Sequence, residues 1–488
     1  MATERIPLTQ PIESRNGTFD KDSFSTNCFF ETRDQKREFV KRPGLVALGQ
    51  VVPTSYPDLS NSQGLVGFNN DIISVINNRV YKTFTSSYTT ISLGDTSEST
   101  SNSYFVRTFL DTYMFFHNGV DGYLLAADGT FSTPTGMPSG PFVPGCAFLD
   151  NYVFVGTTNN RIYNCDVGDP TNWDALNYIS FEQGADLLVG VCSHLNYIVA
   201  FGQTNTVFFY DAANATGSPL AVAPSYTTEI GCAAGDSIVS TNNTVIWMGT
   251  SKTYGRSVYV MDGVAAIRVS TANIDKHLEA SDLSDVSAYC HTVNGHTMYI
   301  LTLHDINQTL VYDLNEKMWY RWTQWAQASS DQPNPGTYYE SYFRPTFYAN
   351  VNGVPYLLDD DTAELYTLDV DTYQDGGEDI YCRTVTDISD NGTTKRKFFG
   401  RLEIIGDKVA GTLQVRHTGD DYNTWSSYRS VDLNASRSQV YLSGADRRRA
   451  WEFLVTSNVP LRLDSAEIDF RIGEMDQEQQ VGGGRYRR

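Results

Sequence analysis

From about residue 46 to residue 375 the chain alternates apolar and polar positions in short runs, broken every few residues by Asn, Asp, Gly, Ser or Thr. A period of two sends successive side chains to opposite faces, so each run predicts a strand with a covered face. The runs join around Asn-Asn, Asn-Gly and Gly-Asp pairs, which accept positive φ where an antiparallel chain reverses. Helical periodicity is nearly absent. The one helix signal is RVSTANIDKHLEASDLSD from Arg268, where Ser270 or Thr271 can cap a short helix with acidic residues in its early turns.

The strand–turn–strand pattern recurs with a period of about forty residues, the spacing of propeller blades. Units begin near Gly64, Tyr104, Gly145, Val189, Ile230, Val286 and Phe347, with Tyr81, Tyr123, Tyr163, Tyr210, Tyr259, Tyr312 and Tyr366 recurring late in successive units. A small sheet of this kind covers both faces only by packing against copies of itself, which predicts a closed ring. Seven units are counted; six or eight blades stay open because the first and last could share one. The helix signal reads as an insertion in the ring.

The flanks follow other rules. Residues 1–45 show no clear period before the Lys41-Arg42-Pro43-Gly44 turn, and read as an extended arm that pairs with another domain or subunit. Beyond Asp375-Gly376-Gly377, residues 376–474 hold five longer alternating runs (KFFGRLEIIG, GTLQVRHTGD, WSSYRSVDL, RAWEFLVTS and LRLDSAEIDFRI) that predict a jelly-roll-like β-sandwich. Residues 475–488 are polar, Gly-rich and basic at the end, and read as a flexible tail. The expected class is therefore all-β: arm, propeller over 46–375, sandwich, tail.

Charge sharpens this division. The net charge is −21, yet residues 46–375 alone hold 33 acidic and 11 basic side chains, a balance of −22, and the flanks are nearly neutral. Because DNA binding depends on Lys and Arg displacing phosphate counterions, a sequence-reading DNA-binding propeller is disfavoured. The acidity suits solubility, or a conduit wall along which DNA slides without sticking. The seven cysteines are scattered and form no CxxC pair, so buried thiols are expected rather than disulfides or a zinc site. MATERIPLTQ lacks the apolar core of a secretion signal, and no apolar run approaches the roughly 20 residues of a membrane-spanning helix; synthesis in a cytoplasm is expected.

No catalytic, cofactor-binding or metal-binding set is expected. His291, His296 and His304 flank a presumed hairpin without metal-ligand spacing, and Asp359-Asp360-Asp361 reads as a solvated turn. Lys395-Arg396-Lys397 and Arg447-Arg448-Arg449 read as solvated turns or as contacts with an acidic neighbour. Arg42, Arg447, Arg448, Arg449, Arg485 and Arg487 are the candidate assembly contacts. A propeller glycosidase would need paired carboxylates facing the central cavity, and no Asp repeats at one blade position. A glycan-binding propeller would need aromatic and polar residues grouped at blade tips.

Several short runs, in order along the chain, resemble the packaged-DNA stabilisation proteins of short-tailed bacteriophages, also called tail hub or nozzle proteins. Arg5-Ile6-Pro7-Leu8, Asn27-Cys28-Phe29-Phe30-Glu31 and Arg42-Pro43-Gly44-Leu45 resemble that family's opening. Arg268–Asp275 resembles its helix start with Asp275 in place of Glu, and Leu310-Val311-Tyr312-Asp313 followed by Trp319 resembles an internal strand. Phe453-Leu454-Val455-Thr456-Ser457 with Pro460-Leu461 resembles the closing strands. The resemblance implies a virion role as a ring, usually of six copies, below the portal-adaptor protein. Such a ring extends the DNA channel, retains packaged DNA without reading its sequence, and carries the distal needle or fibre proteins. It transfers no catalytic residue.

Overall fold

Paired residues in the left-handed region set the hairpins. Asn69-Asn70, Asn77-Asn78 and Asp150-Asn151 all hold positive φ, as do Asn294-Gly295 and Asn352-Gly353. Two consecutive positive-φ residues match the twist of the strands they join, which is why Asn and Gly occupy these corners. The computed structural model describes residues 2–34, 36–52, 61–182, 185–214, 216–241, 244–327, 338–441 and 444–473.

The described chain divides into two compact units. One comprises Ser14–Thr18 and Pro43–Ile380, the other Met1–Glu13, Phe19–Arg42 and Tyr381–Arg488.

In the first unit seven antiparallel sheets follow one another within residues 62–95, 104–132, 142–180, 188–222, 231–268, 286–327 and 345–369. The seventh has only three strands from its own segment; Gly44–Gln50 supplies the fourth by pairing with Glu364–Asp369, Leu45 opposite Leu368. The ring is thus closed by a strand from the start of the unit. Ser62 Oγ donates to the Asp359 carbonyl at 2.7 Å, tying the seventh blade to the first.

Apolar side chains fill the spaces between neighbouring blades. Val75, Val80, Met114 and Phe116 meet between the first and second, Phe154, Ile162, Ile198 and Phe209 between the third and fourth. Between the fourth and fifth lie Phe201, Phe208, Trp247 and Tyr259. All seven recurrent tyrosines fall on the third strand of their blade. Six are buried there, but Tyr210 is 42% exposed, and Phe209 beside it takes the buried position. A one-residue offset on a strand sends a side chain to the other face.

The predicted helix is Ala272–Ala280, inserted between the fifth and sixth blades, and the Thr271 hydroxyl accepts from the Ile274 amide. Ser270 instead donates to Asp275 at 2.6 Å, which also pairs with Arg268.

The second unit is a sandwich of two sheets. One is ordered Cys28–Arg33, Lys36–Lys41, Arg462–Ile472, Lys397–Gly406, Ser438–Tyr441, with Ala2–Ile6 also on Arg462–Ile472. The other runs Phe24–Thr26, Cys382–Val385, Ala450–Val455, Thr412–Thr418, Arg429–Asp432. Phe399 and Trp451 meet edge to face between them, ring centroids 6.1 Å apart. Residues 1–45, expected as an arm, are therefore divided: 2–6 and 24–41 supply sandwich strands, and 44–50 a propeller strand. The tail 475–488 lies outside the described residues.

Candidate functional site

The innermost strands of all seven blades line one central cavity of about 530 Å³, with contributions such as Leu65, Tyr104, Cys146, Cys192, Thr241, Cys290 and Ala349. Gly145 permits the close packing of two of these strands: its φ is 91°, and a Cβ there would stand 2.1 Å from the Val191 carbonyl oxygen. None of the lining residues is Asp, Glu, His or Lys; Arg107 is the one charged side chain among them. Among the described residues, paired carboxylates of the kind glycoside hydrolysis uses do not line this space.

A carboxylate bridges two blades that are not neighbours in the ring. Asp236 accepts from the Tyr104 hydroxyl and, at 2.8 Å, from Asn102 Nδ2. Burial raises the pKa of Asp236 and, with the neighbouring Asp236 charge, lifts the Tyr104 hydroxyl well above its ordinary value. The group joins the first strand of blade two to the fifth blade, a buried polar tie that sequence spacing does not reveal because its members are 132 residues apart. His117, fully buried, places Nε2 2.9 Å from the Gly145 carbonyl while Nδ1 accepts from the Gly119 amide, and burial lowers it to about 4.

The three histidines of blade six do not converge. His291 packs against Trp322 and Tyr348, His296 meets Asp313 at 2.7 Å, and His304 Nε2 meets Ser287 Oγ at 3.0 Å. Among the described residues no group of three or more His, Cys, Asp or Glu side chains is placed to hold a metal ion. All seven cysteines are free, six of them buried.

Asp359-Asp360-Asp361 is not the solvated turn expected. Asp359 is buried and accepts from the Asp361 and Thr362 amides, capping the hairpin. Burial and the neighbouring Asp361 and Asp359 charges lift Asp360 to about 8.

The basic candidates separate into two kinds. Arg42 is buried, its Nε donating to Asn27 Oδ1 at 3.1 Å. Arg449 is also buried and pairs with Asp446. Neither offers its charge at the surface of this chain, because each is used to satisfy groups inside the sandwich unit. Lys397 is likewise buried, donating to the Thr393, Lys395 and Arg447 carbonyls. Arg447 and Arg448 are exposed, as are Lys395 and Arg396. Arg485 and Arg487 lie outside the described residues.

Seven radially packed sheets around a cavity lined without acids define a β-propeller, here carried with a β-sandwich. The family model described as "Bacteriophage P22 Gp10, beta-propeller", of phage stabilisation proteins, matches residues 39–373, and the chain belongs to that family. No curated protein matches it significantly. Similar solved structures include a streptogramin B lyase, at 9% identity and TM-score 0.43, covering 67% of this chain and 98% of that one. BamB from Moraxella catarrhalis is similar at 10% identity and TM-score 0.37, covering 74% and 97%. The Pan2 WD40 domain of Neurospora crassa is similar at 13% identity and TM-score 0.38, covering 67% and 94%. No helix is long and apolar enough to cross a membrane among the described residues.

Proposed function

We propose that this chain is a non-enzymatic structural subunit of a short bacteriophage tail. Copies form a ring, six being the number the resemblance implies, below the portal-adaptor protein; the ring extends the DNA channel, retains packaged DNA and carries the distal needle or fibre proteins. The observation that carries this reading is the family match over residues 39–373.

The geometry supports one detail of it. A cavity of about 530 Å³ is of the size that holds a small molecule, about 300–1,000 Å³. Asp236 of the fifth blade accepts from Tyr104 of the second, blades that are not neighbours in the ring, so the middle of the propeller is bridged rather than an open bore. Any DNA conduit is therefore the space enclosed by several subunits rather than the hole of one propeller. The −22 balance over residues 46–375 suits such a wall, since an acidic surface repels phosphate. Electron microscopy and mass spectrometry of purified particles test the assignment: the chain is expected in a ring at the base of the portal, and its absence from the particle overturns the reading.

A further inference from the structure

The cations of the sandwich unit fall into two groups. Arg401 pairs with Glu403 and Asp469, Arg416 with Glu452, Arg437 with Glu403 and Arg462 with Glu31. Lys395, Arg396, Arg447, Arg448 and Arg471 are exposed instead, and among the described residues none of them pairs with an acid. Unpaired like charges repel, so their gathering in one place has to be enforced by the fold.

Strand register enforces it. Phe398, half-exposed, stands opposite Arg471 on one neighbouring strand and opposite Ala445 on the other. Directly opposed residues share a face of the sheet, so Arg471 points outward with Phe398. Arg396, two residues before Phe398, falls on the same face, its carbonyl taking the Gly473 amide at 2.7 Å. Lys397 points the other way and is buried. Its ammonium donates to the Thr393 and Lys395 carbonyls of one turn and to the Arg447 carbonyl of the next, while Arg447 Nη1 donates back to the Thr394 carbonyl at 3.3 Å. One buried cation thus fixes two cationic turns side by side. The acids nearby are engaged elsewhere: Asp446 with Arg449, Glu4 with Asn391, and Asp390 with the Gly392 amide.

We propose that Lys395, Arg396, Arg447, Arg448 and Arg471 seat the phosphate backbone of duplex DNA. This rests on the tail reading above, which supplies DNA as the polyanion at hand, and it names the part of the chain that holds it. Beside four arginines the patch exposes one aromatic ring, that of Phe398. Protein–protein contacts are apolar at their centre, whereas DNA-binding surfaces are polar and strongly positive. An arginine fork also meets two phosphate oxygens at once. The acidic residues 46–375, at −22, repel the same backbone. Retention therefore falls to the sandwich unit, and contacts to phosphate alone hold any sequence equally.

Fluorescence anisotropy of a labelled mixed-sequence duplex with the full chain tests the seat. Wild type is expected to bind at low salt, the logarithm of its affinity falling against that of salt with a slope of about −4.5, five phosphates at about −0.9 each. Arg396→Ala/Arg447→Ala/Arg448→Ala, checked for an unchanged near-ultraviolet dichroism spectrum, is expected to bind at least about tenfold more weakly, with a slope shallower by about 3. Arg396→Lys/Arg447→Lys/Arg448→Lys restores most of that slope, and Phe398→Ala leaves duplex binding unchanged. The seat is overturned if wild type ignores the duplex at low salt or if the triple alanine variant binds like wild type. It is equally overturned if binding prefers single strands and needs Phe398, or if polyglutamate of equal charge competes as well as DNA, which would mark an acidic protein as the partner. A chain found in particles that ignores the duplex overturns the seat and leaves the ring reading standing; duplex binding by a chain absent from particles overturns the ring reading alone.

Discussion

The guanidinium of Arg449 lies over the ring of Phe399, 3.9 Å from its centroid, with only 1% of the residue exposed and Asp446 as its ion partner. A cation placed between an aromatic face and a carboxylate is held by both, and it fastens the two sheets of the sandwich where Trp451 also approaches it at 5.1 Å. Removing the arginine forfeits both aromatic contacts and the ion pair, while Asp446, 30% exposed, keeps access to water. Arg449→Ala is expected to destabilise the protein by about 1–3 kcal/mol, whereas Arg448→Ala, on the exposed neighbour, stays within about 0.5 kcal/mol. Urea unfolding followed by tryptophan fluorescence separates the two; equal effects would contradict the burial.

The recurrent tyrosines allow a paired comparison at matched chemistry. Tyr259 is 2% exposed and stacks on Trp247 at 5.8 Å, while Tyr210 on the equivalent strand of the preceding blade faces outward. Tyr259→Ala is expected to cost about 3–5 kcal/mol through the cavity it leaves, and Tyr210→Ala less than about 1 kcal/mol. Phe209→Ala should behave like Tyr259→Ala. Thermal unfolding of the three variants checks the ranking.

Acid sensitivity follows from His117. Its folded pKa is lowered by burial to about 4, below the roughly 6.5 of an unfolded histidine. The unfolded chain takes up a proton that the folded one refuses, so this contribution is present above about pH 6.5 and is lost as pH falls towards 4, by up to about 3 kcal/mol. His277 and His417, also lowered to about 4, act in the same direction. His117→Gln is expected to flatten part of the stability slope between pH 7 and pH 4 in denaturant titrations; a slope unchanged from wild type would show that His117 titrates normally.

Asp360 has the opposite sign. Burial and the adjacent Asp361 and Asp359 lift it to about 8, so between the unfolded carboxyl value of about 4 and that point the unfolded state ionises first. Its stabilising contribution is complete below about pH 4 and is lost as pH rises towards 8. Asp360→Asn removes the titration, and its unfolding midpoint is expected to exceed that of wild type at pH 8 by more than at pH 5. Equal differences at the two pH values would refute the shift.

Much of the propeller was legible because its information is local. Asn77-Asn78 or Asn294-Gly295 marks a hairpin from two residues, and the third-strand tyrosine recurs because each blade meets its neighbour in the same way. The helix after Arg268 was legible for the same reason, its Thr271 cap and Asp275 lying within one turn. Arg449 was misread as solvated because a charged residue in a turn looks alike whether its partner is water or a distant ring; Asp359 accepts from amides of its own turn, and its burial is decided by the packing around that turn. The central cavity was equally hidden, since its wall takes residues from seven segments.

By itself the sequence determined the all-β class, the repeat, the acidic middle and the turns, each set by side chains a few positions apart. Only the tertiary structure decided that Gly44–Gln50 closes the ring and that Ala2–Ile6 completes a sheet with Arg462–Ile472. It also decided which arginines reach the surface. Strand pairing across hundreds of residues is chosen by the backbone groups and faces left uncovered once the local hairpins have formed, and no short stretch of sequence contains that count.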